Sequence, residues 1–245
     1  MRIAGKKVLI TGASRGLGRA LAFGCAAARA ARVLAGARRK EGFDALRRPA
    51  GRAGDRIDPI RLDVTRDDDI QEAAARGPID ILINNAGVAV FGGVFKGKME
   101  EFRREIEVNY FGVIRMVRAL APGMQEKGGG LIVNIGSMLG KVNLPALGTY
   151  CATKAALLSL AQAIRADLSS SNIRVITVMP GTLDTDMSRG FDVPKIDPEE
   201  AVGEILQAIE NEPHECAIGD EARGVFNRLA ENRRQVEESF AKFRA

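Results

Sequence analysis

Tyr150 and Lys154 stand four residues apart in the run SMLGKVNLPALGTYCATK, residues 137–154, which continues into apolar-rich sequence. On a helix that spacing sends both side chains out of one face, a turn apart. A free phenol titrates near pH 10 and exchanges protons slowly at neutrality, so its anion needs a stabilising partner. An ammonium roughly 5 Å away, at an effective dielectric of about 20, contributes about 3 kcal/mol and lowers a phenol pKa by about two units. Ser137 closes the apolar run LIVNIG thirteen positions before Tyr150. A buried strand would deliver its hydroxyl to the sheet edge, where it could hydrogen-bond the same substrate oxygen. The chemistry these three types suit is proton exchange with an oxygen on carbon.

Such a site needs a sheet edge and a bound reactant, and the rest of the chain supplies signals for both. KKVLIT (6–11) is a short apolar run of the kind buried in a parallel sheet. It breaks into GASRGLG, where Gly12, Gly16 and Gly18 allow a tight turn, close backbone approach to a pyrophosphate and packing of the following helix. Gly12, Ser14, Arg15, Gly16, Leu17 and Gly18 are therefore candidate pyrophosphate contacts, with helix amides facing the phosphates. The next strand, RVLAGA (32–37), ends in Ala37 followed by Arg38, Arg39 and Lys40, where a chain selecting NAD would carry an acid on the ribose hydroxyl. Arg38 can grip a 2′-phosphate through its planar fork and Arg15 can reach the same group, which favours NADP over NAD.

The segment 41–58, with Gly42, Pro49, Gly51 and Gly54, reads as a short helix and a loose loop. PIRLDV (59–64) is the third strand, with Asp63 and Val64 at its end and Asp63 placed to accept from an adenine amino group. An acidic helix (67–76) precedes the strand IDILINNAG (79–87). Asn84 and Asn85 must bond backbone or ligand there; Asn84 suits strand tying as well as a cofactor contact, while Asn85, Ala86 and Gly87 are candidate cofactor neighbours. An amphipathic helix is expected over 99–121, with Asn109 among its apolar residues and a water on a freed carbonyl as its expected partner. IRVITVMPG (173–181) ends in a turn at Pro180 and Gly181.

Residues 182–198 show no clear period and suit a substrate loop, with Thr182 or Thr185 toward the nicotinamide amide or the phosphates. Met138, Leu139, Val142, Leu144, Leu147, Leu183, Met187 and Phe191 would give the substrate an apolar pocket. A helix from Pro198, a short strand at ECAIGD and an amphipathic run complete the chain. Val225, Leu229, Val236, Phe240 and Phe243 form a stripe in that run that is either a lid on the core or a subunit contact.

Composition narrows the class. The chain has 245 residues, 46% hydrophobic and 27% charged, enough for one large α/β domain with an ample core. The net charge of +5 comes from arginines scattered among acids, and tryptophan is absent, which argues against nucleic acid. No apolar run spans a bilayer and no signal peptide is evident, so a cytoplasmic protein without a membrane partner is expected. Cys25, Cys151 and Cys216 are odd in number and widely spaced, which suits buried thiols rather than disulfides or a metal site. Ser137 lies outside any GxSxG, and the single histidine, His214, sits far along the chain in EPHE, so a serine hydrolase is disfavoured.

In order and spacing TGASRGLG, NNAG, Asn109, Ser137, YCATK and PG resemble the short-chain dehydrogenase/reductase family. The resemblance implies one Rossmann-type domain over 1–245: an α/β, doubly wound sheet of about seven parallel strands with helices on both faces. It implies a tetrad of Asn109, Ser137, Tyr150 and Lys154, in which Lys154 also contacts the nicotinamide ribose and Asn109 positions a water in a proton relay. The Val88 backbone, Thr182 and Thr185 would be cofactor neighbours, and a homodimer or homotetramer is implied. The expected activity is NADP(H)-dependent hydride transfer between a nicotinamide and a largely apolar ketone, aldehyde or secondary alcohol. The alternatives are an NAD-dependent alcohol dehydrogenase of the same fold and a non-catalytic dinucleotide-binding regulatory or assembly protein. The TGxxxGxG spacing disfavours the family's longer epimerase and dehydratase branch.

Overall fold

Among the described residues, seven short apolar runs form the strands of one all-parallel sheet: β1 (Lys7–Ile10), β2 (Arg32–Ala37), β3 (Ile57–Arg61), β4 (Ile81–Asn84), β5 (Gly130–Ile135), β6 (Ile173–Pro180) and β7 (Glu215–Ile218), in the order β3-β2-β1-β4-β5-β6-β7. The structure is a computed structural model and describes residues 1–47 and 54–243. The expected loop residues Pro49 and Gly51 lie outside the described residues.

The strands read as unbroken apolar runs because both faces are covered. Ile81 and Ile83 enter one apolar layer while Leu82, between them, enters the other. The helices are α1 (Gly16–Ala27), α2 (Lys40–Arg47), α3 (Asp67–Ala74), α4 (Gly93–Lys96), α5 (Met99–Ile106), α6 (Gly112–Glu126), α7 (Gly148–Asp167), α8 (Pro198–Asn211) and α9 (Asp220–Phe240). Leu21 of α1, Leu46 of α2 and Ile205 of α8 pack on one face; Ile70 of α3, Met116 of α6 and Leu157 of α7 pack on the other. This is the doubly wound arrangement expected. Strand order reverses between β1 and β4, and such a reversal opens a crevice at the carboxyl ends of the strands.

Several boundaries differ from the pattern in the sequence. β3 begins at Ile57, and Pro59 sits within it opposite Ala35; a missing N–H is tolerated because β3 is the edge strand. The single helix expected over 99–121 is α5, a π turn (Glu107–Phe111) and α6, which runs past Pro122 to Glu126. Met124, wholly buried in the α3/α6/α7 layer, holds that last turn to the sheet despite the proline. α9 breaks at Asn232 (φ −151°, ψ 85°), and its stripe packs back on the chain: Val225 and Val236 are buried beside Met138, Leu147 and Tyr150. Cys25 and Cys151 are buried as expected, but Cys216 is only half-buried because β7 is the other edge of the sheet.

Candidate active site

The crevice at the strand ends is a cleft of about 780 Å³. Its first wall is made by backbone. Gly12 has φ +67° and Gly16 φ +51°, a region that favours glycine, and a Cβ on Gly12 would lie 2.8 Å from the Ala86 Cα. The turn is pinned from β4: the Asn85 amide donates to the carbonyls of Thr11 (2.9 Å) and Gly12 (3.1 Å), and the Thr11 hydroxyl accepts from the N–H groups of Asn85 and Ala86. No side chain caps α1, so its first amides open onto the cleft together with Ser14, Gly16, Leu17 and Gly18. Orphan helix amides behind a close-approach turn fit a pyrophosphate. Asn84 takes the strand-tying role, donating to the Asn134 side chain across β4 and β5 at 3.0 Å.

At the far side of this wall Arg38 is exposed and makes no hydrogen bond or ion pair among the described residues. The Arg15 guanidinium meets Asp186 at 3.1 Å in an exposed pair. Asp63 and Val64 border the cleft, and one Asp63 oxygen already accepts from the Thr65 amide and hydroxyl.

The second wall carries the acid–base candidates. Tyr150, Lys154 and Ser137 are 9%, 4% and 9% exposed, and all three border the cleft with Gly87, Pro180, Gly181, Thr182 and Thr185. Ser137 ends the loop after β5, and its hydroxyl accepts the Leu139 N–H at 3.1 Å, capping a 3₁₀ turn (Met138–Gly140). The Lys154 ammonium donates to the Ile135 carbonyl at 2.7 Å and lies 5.6 Å from the centroid of the Tyr150 ring. Burial lowers Lys154 to about 8. Burial also pushes the Tyr150 phenol well above its ordinary value; the Ser137 hydroxyl pulls it back in part, while Cys151 and Glu105 push it further up. The lowering of the phenol by Lys154 expected from spacing is therefore absent in the protein alone. Desolvation of a nearly enclosed phenol outweighs a neighbouring amine whose own charge is disfavoured by burial.

Asn109 is the one tetrad candidate that does not border the cleft. It lies in the π turn, 1% exposed, where its Oδ1 accepts the Val88 N–H and its Nδ2 donates to the Val88 carbonyl and the Thr153 hydroxyl, at 2.9, 2.9 and 3.0 Å. Both amide hydrogens are used, so the side chain holds the Val88 backbone and the Thr153 hydroxyl.

Of the apolar pocket candidates, Met138, Leu139, Leu144, Leu147, Leu183, Met187 and Phe191 border the cleft. Val142 does not; it is buried in the cluster behind them. Of the two roles open to the α9 stripe, the structure shows the lid: Val225, Arg228 and Phe240 of α9, and Phe243 just after it, line the cleft. Glu221 was also missed: its carboxylate accepts the Thr182 N–H at 2.6 Å and so fixes the turn after Gly181. His214 is exposed just before β7, two strands away from the Ser137 loop.

The sequence model of the family described as short chain dehydrogenase matches residues 6–194. The chain belongs to the short-chain dehydrogenase/reductase family. It is accordingly an oxidoreductase of the alcohol–carbonyl class. A short-chain dehydrogenase from Burkholderia cenocepacia J2315, crystallised in complex with NADP, superposes with a TM-score of 0.90 at 37% identity, over 98% of this chain and 99% of that one. The 3-oxoacyl-[acyl-carrier-protein] reductase FabG of Thermotoga maritima is 35% identical over 193 residues, covering 77% of this chain and 78% of that enzyme. Glycine betaine reductase ATRR of Emericella nidulans is 32% identical over 230 residues, which are 86% of this chain but 18% of the much longer relative. The family match ends at residue 194, so the α9 side chains at the cleft lie beyond the segment the family model describes.

Proposed function

We propose that the protein is an NADP(H)-dependent oxidoreductase that interconverts a carbonyl and an alcohol, working chiefly as a reductase of a largely apolar ketone or aldehyde. The observation that carries this reading is the convergence of Ser137, Tyr150 and Lys154 with the glycine turn on one cleft at the strand-order reversal. The glycine turn and uncapped helix amides of the first wall suit a dinucleotide; when bound, the nicotinamide would supply or accept the hydride. Tyr150 then gives or takes the proton on the substrate oxygen, and Ser137 donates a hydrogen bond to that oxygen. Lys154, held by the Ile135 carbonyl, keeps a positive charge beside the phenol near neutral pH and would hold the nicotinamide ribose. Asn109 fixes Val88, which borders the cleft, and so shapes the nicotinamide side.

Arg38, free of partners in the described residues, supports NADP over NAD, because a guanidinium beyond β2 meets a 2′-phosphate bidentately. Leu183, Met187 and Phe191 support residues 182–198 as the substrate loop of a single domain over 1–245 and an apolar substrate. Exposed Val94, Phe95, Met99 and Phe111, gathered on α4, α5 and the π turn, support a homo-oligomer. Oxidation of NADPH and NADH, followed at 340 nm with a panel of ketones and aldehydes, tests the reading. Turnover of apolar carbonyls with NADPH well above NADH is the expected result, and cofactor binding without turnover of any carbonyl would overturn it.

A further inference from the structure

α5 has the sequence MEEFRREI, and Glu105 is its one buried residue, with no exposed surface at all. A carboxyl at a core-facing helix position is costly unless its oxygens are bonded. One Glu105 oxygen accepts the Val90 N–H at 2.7 Å. The Thr149 hydroxyl, in the first turn of α7 beside Tyr150, is its other polar neighbour, and the second oxygen is buried without a partner. Burial lifts the Glu105 carboxyl above its usual range, and the nearby Thr149 hydroxyl and the Val90 N–H only partly offset this. Asn109, four residues on, grips Val88 by both its N–H and its carbonyl. Two side chains of one helical stretch therefore hold alternate residues of the segment that runs from β4 along the cleft. A leucine would fill the space of Glu105 but leave the Val90 N–H without an acceptor.

We infer that Glu105 is a positioning residue: it straps the 88–90 segment to α5, which packs on α7, and so sets the gap between the nicotinamide wall and Tyr150. The inference rests on the cleft being a nicotinamide site. Glu105 touches no bound group itself; it acts through Val90. Glutamine in its place keeps an acceptor for Val90 at the same reach, whereas alanine removes it.

The test uses the full chain and two readouts: amide hydrogen exchange over 86–91, and NADPH affinity by fluorescence titration. In Glu105→Ala the Val90 amide should exchange about fivefold faster, and the NADPH dissociation constant should rise by up to about fivefold, as loss of one hydrogen bond of about 1 kcal/mol predicts. In Glu105→Gln both values should return to within about twofold of the unaltered protein, a rescue that a bond-for-bond replacement predicts. Protection of the β5 amides serves as the control for global loosening. Should the alanine variant not fold, Glu105→Leu, which fills the same space without an acceptor for Val90, replaces it and should move both readouts in the same direction. Unchanged Val90 exchange in the folded variant overturns the strap. Faster exchange with unaltered NADPH affinity overturns positioning, as does a glutamine variant as impaired as the alanine one. If the unaltered protein binds no NADPH, the cofactor reading fails on that result alone, while the exchange arm still decides whether Glu105 holds the segment.

Discussion

The two walls of the cleft are built from different material. The phosphate-side wall is backbone: a glycine turn at positive φ, uncapped helix amides and an asparagine bonded to carbonyls. The reacting wall is side chain: a buried phenol, a buried amine and a capping serine, closed by residues from the irregular loop and from α9. Backbone sites tolerate little variation in residue type, because only glycine fits, whereas side-chain sites depend on what each group is buried against. The first kind of wall should fail sterically when changed and the second electrostatically.

The largest effect belongs to the reacting wall. Tyr150→Phe removes only an oxygen, so NADPH affinity should stay within about threefold while turnover falls by about 10³, the scale of a lost general acid. Steady-state rates and a fluorescence titration separate the two. Turnover that persists would assign the proton to another group and dissolve the contrast.

Next in size is the buried amine. Lys154 is lowered to about 8 from an ordinary 10.5, so between those values the folded protein holds a neutral amine and the unfolded chain an ammonium. The unfolded state then binds more protons, and stability contributed by this group rises with pH across that window; below about 8 its burial cost is fully present. Lys154→Met should lose turnover, yet gain up to about 3 kcal/mol near neutrality, less the worth of the bond to Ile135, with the gain vanishing above the window. Urea midpoints for the two proteins at neutral and high pH check this, and parallel profiles would show that the amine is not desolvated.

The phosphate wall offers the steric counterpart. Gly12→Ala puts a Cβ 2.8 Å from the Ala86 backbone at φ +67°. Strain of about 1–3 kcal/mol, relieved only by shifting the turn, should weaken NADPH binding by about 10². Binding within a few-fold would mean that the turn is looser than its bonds suggest. Arg38→Ala should be gentler and selective, weakening NADPH by about tenfold and leaving NADH unmoved. Equal losses for the two cofactors would remove the basis for preferring NADP.

The same contrast explains what the sequence revealed. TGASRGLG is legible because glycine spacing between a strand and a helix encodes backbone directly, and both faces of the sheet are covered, so the strands show as unbroken apolar runs. The π turn at Asn109 is invisible, since an apolar period continues smoothly through it from Phe102 to Val117. Glu105 is hidden among Arg103, Arg104 and Glu107, where a charged run reads as a solvated face. The α9 stripe was visible, but not the break at Asn232 or the cleft it lines. Burial also reversed the expected direction of the Tyr150 shift, because spacing gives proximity and says nothing of desolvation.

Arg15 is where the two kinds of wall meet, and it carries the smallest expected effect. It stands in the glycine turn, yet its guanidinium is held by Asp186, 171 residues away, in a loop that Arg189 also bonds. The pair is largely exposed, with Arg15 74% and Asp186 45% accessible, and exposed pairs contribute only about 0–1 kcal/mol. A 2′-phosphate arriving at Arg38 therefore competes with Asp186 for Arg15 at little cost, and Asp186 itself repels the phosphate. Asp186→Asn should tighten NADPH about two- to threefold in low salt, and the gain should disappear near 0.5 M salt, where the screening length is only about 4–5 Å. NADH affinity should not follow. A gain shared by both cofactors would place Arg15 on the common pyrophosphate and make Arg38 alone the reader of the ribose phosphate.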